Sequence, residues 1–429
     1  MIKARCHLRP NETHMGRMRA LLKRKTLMKA LFLSTILPHG KRMGSEVASQ
    51  ALIDGLRANG VEVDVVGYVR PGDHTRLARG EIAVQSRYIE SRNAKFYPLL
   101  WLLCSVAWRQ PYTAAKYRSA DYGRLVAKLT EPGNYDFVVI DHPQMGWAVR
   151  SIVCRDVPLV FVAHNVEHDM YAQLAAQSGI GMRAIFSRES KLVERMENWL
   201  ASICAEIWTL TAHDAKHFEA SSPTAKIREI AIPASATVRV TTAGVKEFDV
   251  ALIGNWAWAA NREALIWFLD EVCEMLPSSM SIRIAGKGAE FAASRYPNVH
   301  YVGFVPDAVA FLQSAKVVAI PTLSGGGIQI KTLDSIASGS LVVATQCAVR
   351  GISDLPDTVT VVSDVDSFAA QLVNVVQSSC SQELSDHAHA WSAARSREFV
   401  LQMQRACHAL KLQSGGDRTF RRRLQSQQP

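Results

Sequence analysis

Short apolar runs that end in glycine or polar loops, each followed by a helical stretch, place the strongest limit on this chain, and the rhythm starts twice. Helices between strands rule out hairpins, so the strands run parallel and are covered on both faces. In the first half, Lys29–Leu37 reads as a strand and about 46–59 as a helix closed by Gly60. Val61–Val66, Phe137–Asp141, Leu159–Ala163 and Ile207–Thr211 read as further strands. The pattern restarts at Phe248–Ile253, with a helix over Asn261–Leu276. Strands follow at Ser281–Ala285, Val299–Val302 and Val317–Pro321, then a helix over Gln329–Ser338 and a strand at Leu341–Ala344. A chain of 429 residues exceeds one ordinary core, and two α/β units, each Rossmann-like, account for both halves. The expected organisation is a basic disordered extension over 1–27, a first domain over 28–235, a second over 236–412 and a basic tail over 413–429. The last helical region, about 382–412, is able to cross back onto the first unit.

Composition narrows the partners. Hydrophobic residues at 48% and charged residues at 21% describe an ordinary folded chain. The net charge of +10 lies at the ends: residues 1–27 carry +7 and residues 413–429 carry +3. The body between them is formally neutral, which argues against nucleic acid. Basic ends fit solvated tails, or a weak attraction to anionic lipid. The eight cysteines form no C-x-x-C pair and no cluster with histidine at metal spacing, so they read as buried thiols of a reducing, cytoplasmic compartment. No stretch approaches the roughly 18 apolar residues of a spanning helix. The longest, Tyr97–Trp108, reads first as a core helix and second as an acceptor groove or a membrane-surface contact. No signal-peptide pattern is present at the start, and Met28 opens a strand-like segment, so 1–27 reads as an upstream extension.

In open parallel sheets, ligands collect outside the C-terminal strand ends, so the loops after strands matter most. The sharpest loop runs from Pro321 to Gly339. Gly325, Gly326 and Gly327 allow close backbone approach and precede a helix whose N-terminal N–H groups and dipole suit a diphosphate. Lys331 adds a point charge in the first turns. Asp334, on nearly the same face, suits the hydroxyl pair of a ribose.

This segment resembles the nucleotide-sugar loop of glycosyltransferase family 4, within the GT-B superfamily, in the branch with a Gly-Gly-Gly donor loop. Ala337-Ser338-Gly339 followed by Val342-Val343-Ala344-Thr345 matches the end of the family's Glu-x7-Glu helix and its next strand. The second acid then falls on Asp334 and the first on Gly326, so the first acid is missing; Gln329 stands where a basic residue is common. Ile253-Gly254-Asn255-Trp256 with Asn261, Ala285-Gly286-Lys287-Gly288, and Tyr301–Asp307 resemble the family's other donor-domain loops. Gly44 matches the key glycine of the first-domain loop that faces the donor phosphates, and Ser45 stands where a second glycine is usual. Ala163-His164-Asn165-Val166-Glu167-His168 looks like the acceptor-side motif.

The resemblance covers about 28–378 and is most specific over 248–346. It implies a GT-B fold, two Rossmann-like domains facing each other across a cleft, with the acceptor on the first and the donor on the second. It implies transfer of a sugar from a nucleotide-diphosphate sugar to a hydroxyl of a saccharide or lipid-linked acceptor, with retention. No metal and no cofactor besides the donor substrate is expected. Asp334 would hold the ribose; the missing first acid leaves the sugar open. Gly44, Gly254, Asn255, Gly286, Lys287, Gly325, Gly326, Gly327, Lys331 and Asp334 would bind the donor, and His164 would contact the sugar or acceptor hydroxyl. His164, Glu167 and His168 show no third metal ligand beyond a helical pair, and Asp364-Val365-Asp366 reads as a helix cap rather than a metal string. Asp141-His142-Pro143 is a further cleft candidate. Peripheral contact at the inner face of a membrane is an expected partner surface. A sugar-nucleotide epimerase of the same fold, and a catalytically silent sugar-nucleotide-binding protein, stay open as alternatives.

Overall fold

The computed structural model describes residues 27–40, 43–73, 76–88, 97–154, 156–222, 224–235, 246–293, 295–378 and 382–415. The extension over 1–27, but for Leu27, and the tail beyond 415 lie outside the described residues. Two parallel sheets carry the chain. The first contains β1 (Lys29–Ile36), β2 (Glu62–Val69), β3 (Glu81–Ser86), β4 (Phe137–Asp141), β5 (Leu159–Ala163), β6 (Glu206–Thr209) and β7 (Lys226–Glu229), in the order β3-β2-β1-β4-β5-β6-β7. The second contains β8 (Phe248–Ile253), β9 (Ile282–Ala285), β10 (Val299–Gly303), β11 (Ala315–Ile320), β12 (Leu341–Thr345) and β13 (Val359–Val362), in the order β10-β9-β8-β11-β12-β13. Every pairing is parallel. Both orders reverse direction beside the first strand of the sheet, giving switch points between β1 and β4 and between β8 and β11.

The helices of the first lobe are α1 (Gly44–Ala58), α2 (Tyr97–Ala107), α3 (Tyr112–Tyr117), α4 (Ala120–Leu129), α5 (Glu167–Gln177), α6 (Ile180–Ile203) and α7 (Ala212–Ser221). Those of the second are α8 (Ala259–Trp267), α9 (Ala308–Gln313), α10 (Ile330–Ala337), α11 (Val365–Gln377) and α12 (Gln382–Gly415). The strand β4 is buried along its whole length, as a central parallel strand covered on both faces must be. The Asp364 side chain caps α11 by accepting from the Ser367 N–H at 2.8 Å, the capping role expected for the D-x-D string.

α12 returns to the first lobe. Phe399 and Met403 fill the space over Gly55 of α1, where an added Cβ would lie 2.8 Å from Phe399. Arg395 Nε donates to the Ile232 carbonyl at 2.7 Å, and Gln402 Oε1 accepts from the Ala231 N–H at 2.7 Å. Phe399, Met403, Ala406 and Leu410 thus share one apolar cluster with Phe32, Leu52 and Val139.

The apolar segment after β3 departs from expectation. α2 is not a core helix: of its residues only Trp101 and Ser105 are buried, while Leu99 (62% exposed), Leu103 (59%) and Val106 (56%) face outward. Trp101 anchors it, stacking on Tyr97 and edge-on to Tyr112. Arg188 of α6 donates to Ser105 Oγ and O at 3.0 and 3.1 Å, which ties α6 to α2, and Ile180 and Ile185 at the start of α6 are also exposed.

Candidate active site

Two helix N-termini meet between the lobes. α1 begins at Gly44 and α10 at Ile330, and neither N-cap residue, Met43 or Gln329, supplies a side-chain hydrogen bond. A Cβ on Gly44 would lie 3.5 Å from Ile330 Cγ1, so the two first turns are in contact. Uncapped N-terminal amides and the positive ends of two helix dipoles concentrate positive potential at one place. α1 follows the C-terminal end of β1 and α10 follows that of β11, the strands at the two switch points.

Lys331 lies in the first turn of α10. Its Nζ donates to Asn261 Oδ1 at 3.2 Å and sits 5.8 Å from the centre of the Trp256 ring. No carboxylate pairs with it among the described residues. Burial without a counter-ion pushes its ammonium down to about 8. The platform under it is built from β8 and β9. Trp256 is fully buried and its Nε1 donates to the Ala285 carbonyl at 2.8 Å. Gly254 leaves room for that ring, whose atoms would stand 3.3 Å from an added Cβ. Gly286, at φ +107°, lies against the Gly254 carbonyl so tightly that no side chain fits. Asn255 closes its own turn: Oδ1 accepts from the Ala257 N–H and its carbonyl accepts from Asn261 Nδ2. Lys287 takes part through its backbone, its carbonyl accepting from the Trp256 N–H at 2.8 Å, while its side chain is exposed.

The glycine loop touches the first lobe. A Cβ on Gly327 would lie 2.6 Å from the His164 carbonyl oxygen, and one on Gly326 would collide with the Asn165 amide. Gly325, at φ +117°, has open space around it. The structure therefore brings Gly44, Gly326, Gly327, Lys331 and His164 to one seam. Asp334 stands apart from them. It accepts from the Ser235 N–H at 2.7 Å and from Ser235 Oγ–H at 2.6 Å, and burial raises its carboxyl above the ordinary value against the pull of those bonds.

His164 belongs to a buried polar cluster at the ends of β4 and β5. Its Nε2 bonds Asp141 Oδ1 at 2.8 Å, and Asp141 Oδ2 accepts from Ser34 Oγ at 2.9 Å and Ser49 Oγ at 2.8 Å. The His142 ring stacks on His164 at 3.8 Å between centres and 12° between planes. His142 holds φ +71°, an uncommon conformation for a residue with a side chain, and this turns its ring onto His164. On the far side, His142 Nδ1 lies 3.6 Å from Glu167, which also accepts from Gln144 Nε2. Burial alone would raise the Asp141 carboxyl, but His142 and His164 hold it below the ordinary value. Burial pulls His142 down, yet Asp141 and Glu167 prevail and raise it. Burial and the neighbouring His142 both lower His164, outweighing the attraction of Asp141. The cluster thus stacks a histidine whose basicity is raised over one whose basicity is lowered, with Asp141 bonded to His164 and Glu167 beside His142. Asp141, His142 and His164 also offer three ligand-type atoms within 4.8 Å of one another. The two rings lie in nearly parallel planes, and His164 Nε2 is already bonded to Asp141.

His168 plays a different part from His164. Its Nδ1 bonds Glu197 Oε2 at 2.6 Å, and Glu197 Oε1 accepts from the Glu167 N–H at 2.8 Å. A carboxylate from α6 thereby caps the start of α5, where the local N-cap Val166 has no polar side chain. Ser34, Ser49 and Glu197 are site or supporting residues that sequence reading missed. The one available signal is Ser34, a polar residue inside the apolar run of β1.

Known proteins share this two-sheet architecture. The family model described as glycosyl transferases group 1 matches residues 247–378, and the glycosyl transferase 4-like domain matches 43–233. No curated protein sequence matches the chain significantly. Among solved structures, sucrose-phosphate synthase from Thermosynechococcus elongatus superposes with a TM-score of 0.67 at 14% identity, covering 90% of this chain and 99% of that one. WaaG, a glycosyltransferase involved in lipopolysaccharide biosynthesis, gives 0.57 at 17% identity over 91% and 100%. Anabaena HepE, solved with UDP and glucose, gives 0.58 at 13% identity over 90% and 100%. Two matched domains, one on each sheet, and neighbours that span the whole described body make this chain a family 4-like glycosyltransferase of the GT-B architecture.

Proposed function

We propose that the chain transfers a sugar from a nucleotide-diphosphate sugar to a hydroxyl of a saccharide or lipid-linked acceptor, with retention of configuration. One observation carries this reading: a desolvated lysine without a counter-ion stands beside two uncapped helix N-termini that touch each other across the lobes. Such a place lacks only a compact multiple anion. A diphosphate there places its negative charge on the Gly325–Gly327 amides, the first turn of α10 and Lys331. As the bond from the anomeric carbon to the diphosphate breaks, charge grows on the leaving oxygen, and these groups stabilise it more than the ground state. His164, held in one orientation by Asp141 and made less basic by burial and by the stacked His142, meets the sugar or acceptor hydroxyl from the first lobe. The two donors that Ser235 offers to Asp334 imitate a ribose diol, so a bound nucleotide would replace Ser235 on that carboxylate.

A thermal-shift panel of UDP-, GDP-, ADP- and TDP-sugars tests this reading. UDP-sugars come first, because HepE was solved with UDP-glucose. One nucleotide class should raise the melting temperature, and turnover should need an acceptor. A flat response to all four classes would sink the proposal, and epimerised donor without acceptor would replace it with the epimerase reading.

The outward face of α2, together with Ile180 and Ile185, is the surface that would meet a lipid-linked acceptor at a membrane. Among the described residues no helix is long and apolar enough to cross one. Leu99, Leu103 and Val106 with the neighbouring Arg109 and Lys116 form an apolar face with basic flanks, suited to an anionic interface. Full-length protein should sediment with phosphatidylglycerol vesicles and much less with phosphatidylcholine vesicles. Leu99→Glu with Leu103→Glu should abolish sedimentation, while nucleotide-sugar binding stays intact. Sedimentation unaffected by the double substitution would remove this face from the proposal.

A further inference from the structure

A second cation without a counter-ion among the described residues belongs to a turn that touches the first lobe. Arg350, partly buried, stands in the turn after β12, and its Nε and Nη2 are closed to solvent with no hydrogen-bond partner among the described residues. Buried guanidinium groups are as a rule paired, because each unsatisfied charged donor is costly. Three contacts fix the turn. Thr332 Oγ1 on α10 donates to the Ala348 carbonyl at 2.8 Å. Thr345 Oγ1 donates to the Thr322 carbonyl, at the foot of the glycine loop. Gly351, at φ +72°, packs against Thr211 of the first lobe so closely that an added Cβ would clash with it. Thr211 and Asp214 bond each other at the start of α7, and Asp214 accepts from the Val166 N–H at 3.3 Å, two residues beyond His164. Arg350 therefore belongs to the turn that joins the donor helix to the His164 side of the cleft.

A guanidinium offers two parallel N–H groups, the fork that fits a carboxylate or phosphate. The donor's diphosphate already has Lys331 and two helix ends. The residue after Arg350 leans on the first lobe, where the acceptor enters in the reading proposed above. We propose that Arg350 binds an oxyanion, phosphate or carboxylate, carried by the acceptor. The acceptor class is then an acidic or phosphorylated saccharide rather than a neutral one. This inference rests on the glycosyl-transfer reading for the word acceptor, and on the structure alone for the anion.

Titration of the full-length protein with inorganic phosphate separates the two. Wild type and Lys331→Ala should both hold a phosphate, and Arg350→Gln should weaken that site at least about tenfold, the loss of a charge-assisted pair. Arg350→Gln should melt at or above the wild-type temperature, since it removes two buried donor atoms that have no partner among the described residues, and should keep its affinity for the donor nucleotide. In transfer assays, a sugar phosphate or a uronic acid should outcompete the matching neutral sugar, and Arg350→Gln should erase that preference. Which of the two acids wins distinguishes phosphate from carboxylate. Phosphate binding unchanged in Arg350→Gln, a lowered melting temperature, or a loss of donor affinity like that of Lys331→Ala would each overturn the proposal. A wild type that responds to no nucleotide sugar removes the transferase reading, while the phosphate titration still decides whether Arg350 holds an anion.

Discussion

Lys331→Ala is expected to abolish stabilisation by the nucleotide sugar and to lower transfer by about 100- to 1000-fold, the usual loss when one fixed donor to a developing anion is removed. The size follows from where the lysine sits. Its ammonium rests on a neutral amide, Asn261, over the Trp256 face, with no carboxylate paired to it among the described residues. Fold stability should not fall, because the substitution removes a desolvated cation and no ion pair. The charge also predicts a pH dependence of a definite sign. In the free protein the ammonium loses its proton near about 8. A diphosphate binds the protonated form, so affinity should be level below that pH. Above it, binding must draw in a proton, and affinity should fall by up to about tenfold per pH unit. Lys331→Arg keeps the charge through this range and should flatten the profile even if it binds more weakly. Wild-type affinity that stays level from pH 7 to about 9.5 would show that the charge of Lys331 is not what holds the donor.

The central strands and their loops were legible because buried parallel strands have one kind of sequence. Phe137–Asp141, Leu159–Ala163 and Phe248–Ile253 are compact apolar runs, and their observed limits equal those read from sequence. The edges of the first sheet were not legible, although the edge strand β10 of the second was. β3 (Glu81–Ser86) and β7 (Lys226–Glu229) close the first sheet with polar, partly exposed residues, and their pairing comes from a neighbouring strand rather than from a local pattern. The α2 segment misled for the opposite reason: hydrophobicity says that a helix avoids water but not what covers it, and here most of the face is uncovered. At the site, glycines and Lys331 could be read because a βα loop leaves a local signature. The Ser34–Asp141–Ser49 support of His164 joins residues more than 90 positions apart, and only the β1–β4 pairing makes them neighbours. The division of labour between His164 and His168 was likewise invisible, since it depends on Glu197 arriving from another helix.

Gly327→Ala should separate donor binding from transfer. Gly327 holds φ +68°, which costs an alanine on the order of 1 kcal/mol, too little to unfold the lobe. The larger effect is steric: the new methyl would stand 2.6 Å from the His164 carbonyl oxygen, a backbone atom that cannot rotate away. The lobes must then part by about 1 Å, and misplacement on that scale costs roughly 100-fold in rate. Nucleotide affinity should change much less, because the loop amides, the start of α10 and Lys331 all move together on the second lobe. Gly326→Ala makes a contrast with the same loop. Its methyl meets the side-chain amide of Asn165 rather than backbone. Asn165→Ala should therefore restore transfer to Gly326→Ala and leave Gly327→Ala as slow as before, a coupling visible in a double-mutant cycle. Equal rescue of both glycine variants, or a Gly327→Ala protein that loses nucleotide and transfer in the same proportion, would mean that the loop acts on the donor alone and that the contact between the lobes is not part of the reaction.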